Sequence, residues 1–390
     1  MRTALLVMVV GTAVGSQVRN APPPVTIPAI FDRDLSGDRL IVPVTVNDRV
    51  FPCHLDSGGG AVLAIDQDAA ERAGLRATRT GSSAGAGATA MPDRRIEGAT
   101  IRVGDVSVPS ATVILRPFEP EAPEFDCLFG LTLLRDYAVE LNYIRPYLRL
   151  HDPAHFAPPR GAVAIPFTLE RNHPLADMTL TLAGGEHVRA KVMLDTGAAY
   201  YSAALLKPFI SAHNIMHRVG KVVPRPEVET TSIRLLAARP EAISLGPVQV
   251  HKPVIALFET DTPFLAMDGL VGEGFFVRFD VTFDYSRNTM WLVPNERLGD
   301  EQLFDASGVR FTKTRDAKHH LAAAVVAGSP ADVAGVQKGD VLVSIDGGSA
   351  DELTSKQVAL ALSRAGRACV LDLQRNGRHV TLTVRLVGRL

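Results

Sequence analysis

An internal repeat limits what this 390-residue chain can fold into more than any other feature. The segment RVFPCHLDSGGGAVLAID (residues 49–66) aligns with VRAKVMLDTGAAYYSAALL (residues 188–206). Each is an apolar strand, then Asp-Ser/Thr-Gly, then small residues and a second apolar stretch. DCLFG (126–130) lies 70 residues beyond Asp56, and DGLVG (268–272) lies 73 beyond Asp195. Thirteen residues past the last Gly of each stands a tyrosine, Tyr143 or Tyr285. Both tails read strand, tight turn, strand, with Arg145-Pro146 and Ser286-Arg287-Asn288 as turn residues. Four landmarks in one order predict two copies of an all-β unit between residues 36 and 294, a first lobe over 36–151 and a second over 162–294. The Pro-rich DPAHFAPPRG (152–161) joins them.

A third unit is expected over 304–390. AAAVVAGSPADVAGVQKGDVLVSIDG (322–347) reads as a buried strand, a turn with a short helix, a Gly-Asp turn and another strand. LTSKQVALALSRAG (353–366) has apolar residues at helical spacing and a closing Gly366. ACVLDLQRNGRHVTLTVRL (368–386) is a hairpin turning at Asn376-Gly377.

The formal net charge of -1 argues against a general nucleic-acid binder. The 32 Gly and 26 Pro fit short strands and turns better than a helical bundle. MRTALLVMVVGTAVGSQ, at the N-terminus, has a secretory signal pattern with cleavage expected near Gly15 or Ser16. An uncleaved anchor is the alternative. APPPVTIP (21–28) then reads as an extended leader, so residues 1–24 are assigned to signal and leader. The expected location is exported, either periplasmic or secreted, with membrane anchoring if the signal stays on. Three cysteines, Cys53, Cys127 and Cys369, are too few for a disulfide framework and match no metal spacing; one pair could bridge in an exported protein.

The repeat resembles the retropepsin-like and pepsin-like aspartic proteases. Its carriers are Asp56-Ser57-Gly58 and Asp195-Thr196-Gly197, with Leu128-Phe129-Gly130 and Leu270-Val271-Gly272 downstream. The resemblance implies a mainly β fold with two lobes facing each other across a cleft, both on one chain, so that a monomer suffices. It implies Asp56 and Asp195 as the catalytic pair, supported by Ser57, Gly58, Thr196 and Gly197. It also sets the strands of Cys53 and Cys127 side by side, so that these two either bridge or remain buried thiols. Gly59 and Ala198, after the motifs, are nearer the retropepsin type. The candidate flap, GSSAGAGATAMPD (81–93), has no Tyr, so substrate clamping must differ from pepsin. The C-terminal unit is similar to a bacterial PDZ domain, an α/β module. The resemblance implies that Gly308, Val309 and Phe311 contribute to a groove for a peptide C-terminus. Polypeptide substrates are the implied partners, with no metal and no cofactor.

Two carboxyl groups sharing one proton suit peptide hydrolysis. Like charges a few ångströms apart resist joint ionisation, so one acid stays protonated and the other ionised. The ionised acid takes a proton from water while the neutral one donates to the carbonyl oxygen. The hydroxyls of Ser57 and Thr196 are expected to brace the pair from below. Gly58 and Gly197 let backbone approach the carboxylates. Either motif alone reads as a turn capped by Asp; the matched pair is what points to a site. Asp126 and Asp268 read as structural residues at strand entries.

Rival signals are weaker. GSSAG (81–85) fits a Ser nucleophile pattern but lacks the following helix; a flap or a plain loop is the better reading. HNIMH (213–217) lacks the Glu of a zinc protease motif, leaving a surface His pair. His54 shares a strand face with Asp56 and reads as a packed residue. Two functions stay open: an exported aspartic endopeptidase whose PDZ domain recruits polypeptide, and a catalytically inactive peptide-binding scaffold. Retention of both acids, each with its hydroxyl and Gly, favours the first.

Overall fold

The computed structural model describes residues 23–31, 38–83, 91–108, 112–118, 125–198, 200–226, 234–260, 267–313 and 319–390. The signal segment and the tip of the candidate flap lie outside them.

The fold is mainly β: two lobes of the same topology followed by a smaller α/β domain, the unit that resembles a PDZ domain. Each lobe carries a ten-stranded sheet, nine strands along one path and a tenth beside it, Ile30–Phe31 on Leu40–Val46 in the first lobe and Thr168–Glu170 on His173–Thr181 in the second. In the first, the strands run Arg79–Ser83, Met91–Ile96, Val113–Arg116, Leu63–Asp66, Cys127–Gly130, Arg49–Asp56, Leu40–Val46, Ile101–Val103 and Val106–Val108 in space. In the second the order is Val222–Pro224, Leu235–Ala238, Ile255–Phe258, Ala203–Leu205, Gly269–Val271, His187–Leu194, His173–Thr181, Ala242–Leu245 and Val248–His251. Each strand of the first path has its sequence counterpart at the same place in the second. The repeat is therefore one topology built twice.

A six-stranded sheet joins the lobes. The tails containing the matched tyrosines meet at its middle, where Ala138–Asn142 pairs antiparallel with Phe279–Asp284. Val25–Pro28 and Val163–Pro166 form its two edges. The former was expected to be leader; it is instead the first strand of the repeat, pairing with Tyr147–His151. Its alternation of exposed Thr26 and buried Ile27 seats it on the core. One continuous apolar core runs through both lobes and the PDZ domain has its own.

Local chemistry explains the turns. Asn47 and Asp48 (φ 45° and 64°) take the left-handed region between Leu40–Val46 and Arg49–Asp56. Asn376 and Gly377 (φ 49° and 78°) close the predicted hairpin. In the PDZ domain, Ser329 caps Pro330–Ala334, Gly335 ends it at φ 94°, and Thr354 and Gln357 form a capping box on Ser355–Leu362. No helix among the described residues is long and apolar enough to cross a membrane.

Candidate active site

Asp56 ends the strand Arg49–Asp56 and caps the short turn Ser57–Gly59, its Oδ1 accepting from Gly59 N–H at 2.8 Å. Asp195 follows His187–Leu194, and its Oδ1 accepts from Gly197 N–H at 2.9 Å. The motif is thus a capped turn, as its residues suggest, and also half of a pair. The carboxyl groups of Asp56 and Asp195 lie close enough for each to act on the other's protonation. Each glycine abuts the opposite acid: a Cβ on Gly58 would lie 2.5 Å from Asp195 Cγ, and one on Gly197 would lie 2.5 Å from Asp56 Cγ. No side chain larger than hydrogen fits either place.

Beneath the acids the lobes exchange four hydrogen bonds. Ser57 N–H donates to Thr196 Oγ1 (3.0 Å), and Thr196 N–H donates to Ser57 Oγ (2.8 Å). Thr196 Oγ1 donates to Leu55 O (3.0 Å), and Ser57 Oγ to Leu194 O (2.7 Å). Both hydroxyls are buried, so every bond replaces one that water would otherwise make.

The downstream strands support the acids from one side. Cys127–Gly130 runs parallel to Arg49–Asp56 with Gly130 opposite Asp56 and Cys127 opposite Cys53. Gly269–Val271 runs parallel to His187–Leu194 in the same way. Cys53 and Cys127 form a disulfide with Cα atoms 4.5 Å apart. Asp126 and Asp268 are structural: their N–H groups bond to Pro52 O and Lys191 O, and their carbonyls accept from Asp66 N–H and Leu206 N–H.

Burial raises the pKa of both acids. For Asp56 the hydrogen bond from Asp195, the Gly59 N–H and the Arg39 guanidinium offset part of the rise. Asp195 is pushed up further by the charge on Asp56 and by its hydrogen bond to it. The two acids therefore resist joint ionisation and share one proton between them. His54 is packed, as expected, with its ring 5.2 Å from that of Phe125; burial and then Arg39 hold it neutral.

Three residues near the pair were not singled out from the sequence. Arg39 acts on Asp56, His54 and Glu273. Arg116, at the end of Val113–Arg116, feels the charge of Asp56. Glu273 follows Gly272 directly; its N–H donates to Ala198 O (2.8 Å) and its Oε2 accepts from Tyr200 N–H (3.3 Å), just past Asp195-Thr196-Gly197. An acid opening the apolar run EGFF was the available signal. Glu273 Oε1 accepts from Asp38 N–H, and the Asp38 carboxylate pairs with Arg297 and with Lys356 of the PDZ domain.

The remaining expectations divide. Arg79–Ser83 and Met91–Ile96 form the hairpin of the candidate flap, so Gly81 and Ser82 lie in a strand, not at a nucleophile turn. His213 packs on Phe209 with ring centroids 4.5 Å apart, and no group of three metal-ligating side chains occurs among the described residues. Val309 and Phe311 are buried in the PDZ core at the edge of the groove, and Gly308 (φ 80°) packs on Ser329.

Residues 42–133 match the family model of aspartyl proteases, and residues 307–386 match that of the PDZ domain. The chain thus carries an aspartyl protease domain and a C-terminal PDZ domain. Among solved structures, an aspartic proteinase from Irpex lacteus is similar over 72% of this chain and 100% of its own, with a TM-score of 0.47 and 10% identity. No curated protein matches the chain.

Proposed function

We propose that this protein is an aspartic endopeptidase, in which a water shared by Asp56 and Asp195 attacks the peptide carbonyl. The observation that carries the reading is the reciprocal packing of the acids, each against the other lobe's glycine. The ionised member of the pair takes a proton from the water. The protonated member donates its proton to the carbonyl oxygen, and the tetrahedral intermediate then collapses as the amine leaves with a proton from the pair. Ser57 and Thr196 hold the carboxyl groups in place across the lobes, and the PDZ domain recruits polypeptide substrate. An exported location is supported by the Cys53–Cys127 disulfide, which needs an oxidising compartment to form and persist.

The test is hydrolysis of an unfolded protein, read by mass spectrometry, by the parent and by Asp56→Asn, Asp195→Asn and the double variant, each shown to be folded. Either single change should abolish cleavage, and the double should cost little more, because the two act as a unit. Cleavage at the parent rate by a folded Asp195→Asn would refute the reading. Parent protein that binds the unfolded chain without cutting it, at any pH from 3 to 8, would make it a scaffold.

A further inference from the structure

The PDZ groove faces the second lobe. Its walls are the strand Val309–Thr312 and the helix Ser355–Leu362, and Tyr200, Glu273 and Arg278 face them across a cavity of about 370 Å³, a size typical of ligand sites. At the head of the strand, the loop resembling a carboxylate-binding loop has its donors already in use. Ser307 N–H donates to Asp305 Oδ1 at 2.9 Å. Gly308 N–H donates to both Asp305 oxygens, at 2.9 and 3.1 Å. Val309 N–H donates to Ser307 Oγ (3.2 Å), and that hydroxyl itself donates to Asp305 Oδ1 at 2.6 Å. Arg389, whose side chain is 9% exposed, pairs with Asp305 Oδ2 at 2.6 Å.

One internal carboxylate thus takes the backbone donors, the hydroxyl and the nearby guanidinium. A ligand's terminal carboxylate would enter a filled nest beside a like charge whose counter-ion is already paired. What the groove still offers is backbone. Val309–Thr312 is the edge of its sheet, pairing with His320–Val325 alone among the described strands. An extended chain can add beside such an edge by main-chain hydrogen bonds without presenting a terminus.

We infer that this groove takes an extended internal segment of a polypeptide rather than a chain end, because Asp305 occupies the place of the terminal carboxylate. The inference rests on the PDZ domain engaging polypeptide, as proposed above, and names which part of the polypeptide it holds.

Two display libraries of random heptapeptides test it, one ending in a free carboxylate and one continued into a fixed carrier protein. Both are selected on full-length Asp195→Asn protein, and a winner counts only if Ala359→Arg, which puts a long side chain into the groove, abolishes its binding. Lys356→Glu at the groove mouth serves if Ala359→Arg fails to fold. The carrier-continued library should enrich, and winners made as free acids and as C-terminal amides should bind within about twofold of each other. Asp305→Ala, or the isosteric Asp305→Asn if the former unfolds, should raise affinity for the free acids by about tenfold, the worth of one charge-assisted contact. Free acids bound tenfold or more above amides by protein with Asp305 intact would overturn the inference and leave substrate recruitment standing. No groove-dependent winner from either library would overturn both.

Discussion

Ser57 and Thr196 each accept the other's backbone N–H through a side-chain hydroxyl, at 2.8 and 3.0 Å, across the junction of the lobes. Ser57→Ala removes one acceptor and one donor, leaving Thr196 N–H and Leu194 O without partners. Each orphaned buried group costs about 1–3 kcal/mol. The midpoint of urea unfolding should fall for Ser57→Ala and for Thr196→Ala, and fall further in the double variant, because each hydroxyl makes two bonds of its own. Thr196→Ser keeps the hydroxyl and should stay within about 1 kcal/mol of the parent. Equal loss in Thr196→Ser and Thr196→Ala would show that the methyl group, not the bond, matters.

Gly197→Ala and Gly58→Ala should disable the site while leaving the fold in place. Each would put a methyl carbon 2.5 Å from a carboxyl carbon of the other lobe. The acid must move by about 1 Å to clear it, a displacement that costs on the order of 100-fold in rate. Gly299→Ala is the control, since nothing lies within 4 Å of its added carbon. Parent kcat/KM in a folded Gly197→Ala would contradict the packing.

The pH profile of kcat/KM should be bell-shaped. Activity requires the singly protonated pair, so it falls when both acids are protonated and again when both ionise. Burial and the charge of Asp56 hold Asp195 well above the ordinary carboxylate range, so the alkaline limb should lie above that range. A rate still rising at pH 9 would rule out this pair as the source.

Removing the Cys53–Cys127 bridge should lower stability. It closes a loop of 74 residues, for which chain entropy alone gives about 4 kcal/mol. Reductant should lower the unfolding midpoint of the parent and leave Cys53→Ala/Cys127→Ala unchanged. A parent indifferent to reductant, with both thiols alkylated before unfolding, would mean that the bridge contributes nothing.

Glu273 should make the protein less stable as pH rises. Burial pushes its carboxyl up to about 8, with Asp38 adding to the rise and Arg39, the Tyr200 N–H and Lys356 opposing it. A folded-state value above the ordinary 4.5 stabilises the fold fully below about pH 4.5, and that contribution is lost as pH rises through about 8. Glu273→Gln should therefore lose less stability between pH 5 and 8 than the parent, measured by urea unfolding at both. Identical slopes would place the pH dependence elsewhere.

Most of the architecture was legible because it is written twice. Alternating strands, Asn and Gly turns and the paired Asp-Ser/Thr-Gly motifs are local signals, and repetition separates them from chance. The PDZ helix and the Asn376-Gly377 hairpin were legible from local signals alone, helical apolar spacing closed by Gly366 and a two-residue turn. Val25–Pro28 was misread as leader since a short edge strand among prolines has no pattern of its own; only its pairing with Tyr147–His151 defines it. Arg39, Arg116 and Glu273 were invisible near the site because their role depends on charge and burial contributed by distant segments. By itself the sequence determined two equivalent acid-bearing turns, their hydroxyls and their glycines. That the two acids meet and share a proton, and which carboxylate fills the PDZ loop, was decided by tertiary structure alone, because burial and the position of neighbouring charge exist only once the lobes and the PDZ domain have packed.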